Sequence, residues 1–290
     1  MSHGHEQWTV CFDDAVNLSA GRAAEEPGRG PGIGIRGKRV VVTGGGRGLG
    51  EQIVRLLVAE GAFVATCART AGDLEALAAS LDAAARDRLY TEALDVTEPD
   101  RLESFVAAAQ HRFDGLDGAV ACAGGSRGGR LARAEPGDWA ATWAMNVGHT
   151  VRLVRAVAPL LRDQGGGSVV VIASISGWKP APDAPYGTAK SAQIHLATTL
   201  ARELGPDGIR VNAVSPGSML IPGRRWDRLR TEHPDAFAAF VSAELPAGGP
   251  VAPQEVARAV AFLLSDWSSG ISGVHLPVDR AQNAPTPEGY

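Results

Sequence analysis

From residue 36 onward the chain alternates between two hydrophobic patterns. Continuous apolar runs of strand length recur as "RVVVTG", "AFVATC", "LYTEALDV", "GAVACAG", "SVVVIAS", "RVNAVSPG" and "GVHLPV". Runs apolar at successive positions predict strands buried on both faces of a sheet. Between them apolar residues return every three or four positions, which predicts amphipathic helices. Leu49, Ile53, Leu56 and Leu57 mark one such helix, ending at Gly61. Ala189, Ala192, Leu196, Leu200 and Leu204 mark another, ending at Gly205. Glycine suits a helix end because it enters left-handed backbone without a Cβ clash. Strand then helix, repeated, predicts parallel strands joined by crossover helices on both faces. The expected fold class is α/β: one doubly wound domain with a seven-stranded parallel sheet flanked by helices.

Residues 1–35 break this pattern. "GRAAEEPGRGPGIGI" is rich in Gly, Pro and charge and reads as a flexible linker. Before it, Trp8, Val10 and Phe12 alternate with Thr9 and Cys11, which leaves a short strand, a tethered arm or a disordered extension open. The expected organisation is an N-terminal extension over 1–35, one domain over 36–280 and a tail over 281–290.

Composition narrows the class. A hydrophobic content of 44% supports a substantial core, and a net charge of -4 gives no electrostatic footprint for nucleic acid. The three cysteines, Cys11, Cys67 and Cys122, lie far apart and show neither metal spacing nor a disulfide framework. No stretch approaches the roughly 18 apolar residues of a membrane span. "MSHGHEQWTV" lacks the apolar run of a signal peptide. A cytoplasmic protein without metal, membrane or nucleic-acid partner is expected. His149 and His195 read as packing or surface residues, since no His-x-x-x-His pair is present.

"VVVTGGGRGLGEQIV" places Gly44, Gly48 and Gly50 between the first strand and the first long helix. A turn of this kind lets backbone N–H groups approach a pyrophosphate at a helix N-terminus. The acidic residue that would grip a ribose 2′-hydroxyl belongs at the end of the second strand, about 20 residues on. The sequence there is "VATCART", with Ala68 and Arg69 and no carboxylate. Arg47 lies inside the glycine turn itself. Two guanidinium groups suit the 2′-phosphate of NADP, so NADP(H) is expected over NAD(H).

"PYGTAKSAQIHLATTLARELG" puts Tyr186 and Lys190 one helical turn apart. A phenol with a reference pKa of about 10 is a poor proton shuttle at neutral pH. A cation one turn away is expected to lower it and make an acid/base pair.

Taken together, these residues resemble the short-chain dehydrogenase/reductase family. The likeness runs from Arg36 to about Asp279 and includes "TGGGRGLG", Asp95-Val96, "CAG" at 122–124, Asn146, "IASISG", "YGTAK" and "SPG" at 215–217. It implies a Rossmann-type fold and an NAD(P)-dependent enzyme acting on CH–OH and C=O groups. Carried over by position, it makes Tyr186 the general acid/base and Lys190 the cation that tunes it and holds the nicotinamide ribose. Ser174 then donates to the substrate oxygen, and Asn146 positions a water on a proton path. The resemblance assigns the cofactor to Gly44, Arg47, Gly48, Leu49, Gly50, Arg69, Asp95, Val96, Ala123, Gly124, Tyr186, Lys190, Pro216, Gly217 and Ser218. Three departures stand out: Cys122 where the family commonly has Asn, Ile221 where it often has Thr, and Asp279-Arg280-Ala281 in place of Asp-Gly-Gly.

Substrate is expected over the nicotinamide, beyond the carboxyl ends of the strands. "GGSRGGRLAR", "ISGWKPAPDAPY" and the long segment 218–249 converge there, offering Ser126, Trp178 and Trp226. The Arg-rich run "GRRWDRLR" reads either as a site for an anionic carrier tail or as a solvated charge run. The expected activity is NADPH-dependent reduction of a small or carrier-bound carbonyl, such as a 3-oxoacyl thioester or polyketide. The alternatives are oxidation of a sugar or steroid-like secondary alcohol, and a non-catalytic NADP-binding sensor. By analogy, a homodimer or homotetramer is expected through the Tyr186 helix and the segment Pro136 to Leu161.

Overall fold

The structure is a computed structural model that describes residues 33–282. The Trp8–Phe12 pattern, most of the expected extension and tail residues 283–290 lie outside the described residues. Seven parallel strands form one sheet: β1 (Arg39–Thr43), β2 (Phe63–Ala68), β3 (Leu89–Ala93), β4 (Gly118–Ala121), β5 (Gly167–Ile172), β6 (Ile209–Pro216) and β7 (His275–Val278). Their order is β3-β2-β1-β4-β5-β6-β7. The chain winds outward from β1 to β3, then returns to the other side of β1 at β4. The crevice at the carboxyl ends of β1 and β4 is therefore the topological switch point, where ligands of such sheets bind.

Ten α-helices lie among the described residues: α1 (Gly48–Ala59), α2 (Ala71–Ala79), α3 (Ala83–Asp87), α4 (Arg101–Phe113), α5 (Pro136–Trp143), α6 (His149–Asp163), α7 (Ala184–Leu204), α8 (Arg225–Glu232), α9 (Pro234–Glu244) and α10 (Pro253–Leu264). Side chains alternate across a strand, and β1 shows the consequence. Val41 joins a core with Leu153, Val157 and Leu161 of α6 and Phe105 of α4. Val40 and Val42 join the opposite core with Ile53, Leu57 and Val58 of α1 and Val260 of α10. All three valines are fully buried, which is why the strand reads as a continuous apolar run. Pro277 sits in β7, which among the described residues pairs only with β6, so its missing N–H interrupts no ladder beyond.

The helix marked by Leu49 to Leu57 ends at Glu60, and Gly61 follows in left-handed backbone at φ 90. Gly205 behaves differently from expectation. Its φ is -55, and the chain continues through a 3-10 turn, Gly205–Asp207, to Gly208 at φ 72. Pro206 has no N–H to continue the α-helical ladder but fits the tighter turn, so the left-handed residue falls three positions later. Ala192, Leu196 and Leu200 are half-buried, whereas Gln193, Ala197 and Ala201 face the core.

Between α5 and α6 the helix widens into a π-turn, Ala144–Gly148, that carries Asn146. A π-turn frees carbonyls from the regular ladder. Here side chains take them. Asn146 Nδ2 donates to Thr142 O at 2.7 Å, and Thr150 Oγ1 donates to Asn146 O at 2.7 Å. His149 Nδ1 lies 2.6 Å from Met145 O. Burial pushes His149 down to about 4, so its ring is neutral at pH 7 and Nδ1 carries the donated proton.

Candidate active site

The carboxyl edge of the sheet gathers most of the residues singled out from the sequence. Gly44, Arg47, Gly48, Leu49 and Gly50 form the turn from β1 into α1. Gly44 N donates to Cys67 O at 2.8 Å, which ties this turn to the end of β2. A Cβ on Gly50 would stand 2.2 Å from Gly44 O, so α1 packs directly against the turn. Gly48 has φ 61, the left-handed region that favours glycine. Among the described residues, neither a carbonyl nor a side chain accepts from the N–H of Gly48 or Leu49. Free N–H groups at a glycine turn opening a helix fit the pyrophosphate of a dinucleotide.

Arg69 follows β2 and is exposed, as is Arg47. Asp95 and Val96 follow β3. Burial acts to raise the Asp95 carboxyl, but the Thr97 hydroxyl and N–H, with Arg69 and Arg152 nearby, hold it below the usual carboxylate range. Ala123 and Gly124 follow β4, where Thr43 Oγ1 accepts from Cys122 N at 3.0 Å and Ala123 N at 3.2 Å. Pro216 ends β6, and Gly217 and Ser218 follow. Ser218 Oγ accepts from Gln282 Nε2 at 3.0 Å, which commits this hydroxyl to the chain's own tail.

The Tyr186 helix starts where Asp183 accepts from Tyr186 N at 3.2 Å as the N-cap. Its first turns press against the 3-10 turn Ile175–Gly177. A Cβ on Gly177 would lie 2.5 Å from the Lys190 carbonyl carbon, so only glycine permits this approach. The approach brings Ser174, the N-cap of that turn, near enough to Tyr186 for its hydroxyl to act on the phenol. Lys190 Nζ lies 5.5 Å from the Tyr186 ring centroid. Lys190 is 3% exposed and donates to Ile172 O and Gln193 Oε1, both at 2.8 Å. Asn146 completes the group: a Cβ on Gly124 would meet both Asn146 Oδ1, at 2.7 Å, and Lys190 Nζ, at 3.3 Å.

Electrostatics here differ from the simple pairing read off the helix. Burial pushes the Lys190 ammonium down to about 8. Burial also raises the Tyr186 phenol above its ordinary value, although the Ser174 hydroxyl acts in the other direction. Desolvation of the phenolate is the largest influence on Tyr186, and the nearby ammonium is itself desolvated and shared between two acceptors. Cys122 stands in the same pocket, and burial pushes its thiol up to about 12, so it is protonated at neutral pH.

Gln193 escaped the sequence reading. It is fully buried, accepts from Lys190, and donates to Asn146 O at 3.1 Å and Thr150 Oγ1 at 2.9 Å. A glutamine three residues after a lysine carries no signal by itself. The outer residues are more dispersed. Ser126 Oγ donates to Asp183 Oδ2 at 2.5 Å. Trp178 is 65% exposed and packs on His275 with centroids 5.4 Å apart. Trp226 of α8 stacks on Phe240 of α9 with centroids 4.0 Å apart, so this pair joins the two helices.

A switch-point crevice with a phosphate-ready glycine turn, facing a tyrosine, a serine and a buried lysine, defines an oxidoreductase that uses a nicotinamide dinucleotide. The comparisons with known proteins agree. The family model described as enoyl-(acyl carrier protein) reductase matches residues 44–280. Isoepoxydon dehydrogenase patN of Penicillium expansum is 33% identical over 250 residues, covering 85% of this chain and 95% of that protein. The 3-oxoacyl-[acyl-carrier-protein] reductase FabG of Salmonella typhimurium is 33% identical, covering 85% of this chain and 98% of its own. The structure of L-sorbose reductase from Gluconobacter frateurii, solved with NADPH and L-sorbose, superposes with a TM-score of 0.82 at 29% identity, over 88% of this chain and 100% of that one. The chain belongs to the short-chain dehydrogenase/reductase family and is an oxidoreductase acting on CH–OH and C=O groups. No helix among the described residues is long and apolar enough to cross a membrane.

Proposed function

We propose that the chain is an NADPH-dependent ketoreductase in which Tyr186 is the general acid. The observation that carries this reading is the convergence of Ser174, Tyr186, Lys190 and Asn146 at the switch-point crevice. NADP(H), when bound, supplies the hydride. The hydroxyls of Ser174 and Tyr186 donate to the substrate carbonyl oxygen, where negative charge develops, and Tyr186 yields its proton there. Tyr186 stays protonated at neutral pH, the form that donates in the direction of reduction. Below about pH 8 Lys190 keeps its ammonium and offsets the charge left on the phenolate. Asn146 commits Nδ2 to Gly125 O and Thr142 O, and Oδ1, which accepts from Gly125 N at 3.4 Å, has a second lone pair to hold a water on the path that reprotonates Tyr186.

The cofactor's pyrophosphate is assigned to Gly44, Gly48, Leu49 and Gly50, its adenine to Asp95 and Val96, and its 2′-phosphate to Arg47 and Arg69. Ala123, Gly124, Pro216, Gly217 and Ser218 border the nicotinamide side. The absence of a carboxylate at Ala68-Arg69 supports NADP(H) over NAD(H). Ser126, Trp178 and Trp226 border the substrate, a ketone of the 3-oxoacyl-thioester or polyketide type. Val151, Val154, Ala158, Leu196 and Leu200 of α6 and α7 line an apolar groove, which supports pairing of these helices in a homodimer or homotetramer. Free thiols at Cys67 and Cys122 support a reducing, cytoplasmic compartment.

The test is NADPH oxidation by the purified protein against β-keto thioesters, quinones and simple ketones, with Tyr186→Phe alongside. The variant is expected to lose about 10²- to 10⁴-fold in kcat while binding NADPH as before. Equal turnover by both proteins removes Tyr186 from the role of acid.

A further inference from the structure

We propose that Arg224 is a third phosphate-binding cation, carried onto the adenosine end of the cofactor site by the segment after β6, so that the 2′-phosphate of NADP(H) fixes this segment over the glycine turn. The proposal rests on the NADP(H) reading above. The segment 218–224 leaves the end of β6 and crosses to the turn between β1 and α1. A Cβ on Gly48 would lie 3.2 Å from Ile221 Cγ2, so Ile221 rests on the glycine turn itself. Arg224 N then donates to Ile221 O at 2.9 Å, turning the chain directly after that contact. Gly223 N donates to Asp227 Oδ2 at 2.9 Å and seats Arg224 as the residue flanking the start of α8.

This path brings together cations from separate parts of the sequence. Arg47 is the neighbour of Gly48, Arg69 follows β2, and Arg228 lies one turn into α8. All three act electrostatically on Arg224, and together with its burial they lower its guanidinium. Yet no ion pair among the described residues includes Arg47, Arg69, Arg224 or Arg228. Arg69 has Asp95 within electrostatic reach, but Arg224 is repelled by all three of its cationic neighbours, and a dianionic phosphate turns that repulsion into attraction.

The position decides which phosphate. Arg47 and Arg69 flank the end of β2, where a dinucleotide presents its adenosine ribose. Because Arg224 and Ile221 belong to one short turn, binding the phosphate also holds Ile221 against Gly48. NADPH therefore holds in place the segment that leads into α8 and α9, and NADH, without the 2′-phosphate, does not.

The test uses the full chain and binding rather than turnover. Dissociation constants for NADPH, NADH and 4′-phosphopantetheine are measured by fluorescence for wild type, Arg224→Ala, Arg47→Ala and Arg69→Ala. Tryptic cleavage within "GRRWDRLR" is followed in each ligand. Arg224 is exposed, so the variant is expected to fold. The expected result is a NADPH affinity about 10- to 100-fold weaker in Arg224→Ala, with NADH affinity unchanged. NADPH, but not NADH, is expected to slow cleavage in the wild type. If Arg47→Ala and Arg69→Ala weaken NADPH while Arg224→Ala does not, the NADP(H) reading stands and this proposal is overturned. If wild type binds both nucleotides equally and no variant discriminates, the NADP(H) reading itself fails. Loss of phosphopantetheine binding alone in Arg224→Ala assigns the cation to a carrier-borne substrate and also overturns the proposal.

Discussion

Gln193→Leu removes a side chain that links Lys190 to the π-turn carrying Asn146. Leucine is close in volume, so the change deletes polar contacts without opening a large void. Three hydrogen bonds go: one from Lys190 Nζ, one to Asn146 O and one to Thr150 Oγ1. Asn146 O still accepts from Thr150, and Lys190 Nζ still donates to Ile172 O. The main loss is therefore the charge-assisted bond to the ammonium, worth about 1.5–3 kcal/mol. A melting temperature lower by about 4–8 °C is expected for a domain of this size. The lost bond also favoured the charged form, so Lys190 drops further below its value of about 8. At about 1.4 kcal/mol per pH unit, the alkaline limb of kcat is expected to move down by about one to two pH units. Gln193→Glu, with an anionic acceptor, is expected to move the limb upward. Kinetics from pH 6 to 10 for the three proteins check this. A limb that stays in place in both variants while Tm falls would refute the link between Gln193 and the lysine.

Three further outcomes are expected. Lys190 is depressed from 10.5 to about 8, so between those values the unfolded chain binds a proton that the folded chain lacks. Stability therefore rises with pH across that window, by about 3 kcal/mol in all. Urea unfolding of wild type and Lys190→Met at pH 7.5 and 10.5 checks the sign, because the variant lacks this rise. Thr43→Val strips the acceptor from the N–H groups of Cys122 and Ala123 and is expected to cost about 2–4 kcal/mol, whereas Thr43→Ser costs little. Denaturant midpoints for the two variants separate hydroxyl from shape. Ala281 holds φ 66, a left-handed conformation that glycine adopts freely, so Ala281→Gly is expected to stabilise the fold by about 1 kcal/mol, read as a higher Tm.

Ala281 and its neighbour Arg280, at φ 53, also show how the tail departs from the Asp-Gly-Gly of the family. The turn keeps left-handed backbone with side chains present. Ala281 N donates to Asp279 Oδ1 at 3.1 Å, and Arg280 pairs with Glu255 at 2.9 Å, and these contacts help hold it.

All seven strands and the glycine turn were legible before any coordinates, as was the one-turn spacing of Tyr186 and Lys190. Each is written in local periodicity: apolar runs for double-faced burial, 3.6-residue spacing for helices, glycines where strand meets helix. Gly205 was misread because Pro206 prolonged the turn, a competition between adjacent preferences that periodicity does not rank. The π-turn at Asn146, the Gln193 bridge, the Thr43 acceptor and the approach of Arg224 to Arg47 were beyond its reach. They depend on atoms far apart in sequence that meet only after the sheet has closed. The sign of the Tyr186 shift belongs with them. A helix wheel supplies the nearby ammonium, but how much water leaves the phenol is decided by everything packed around it.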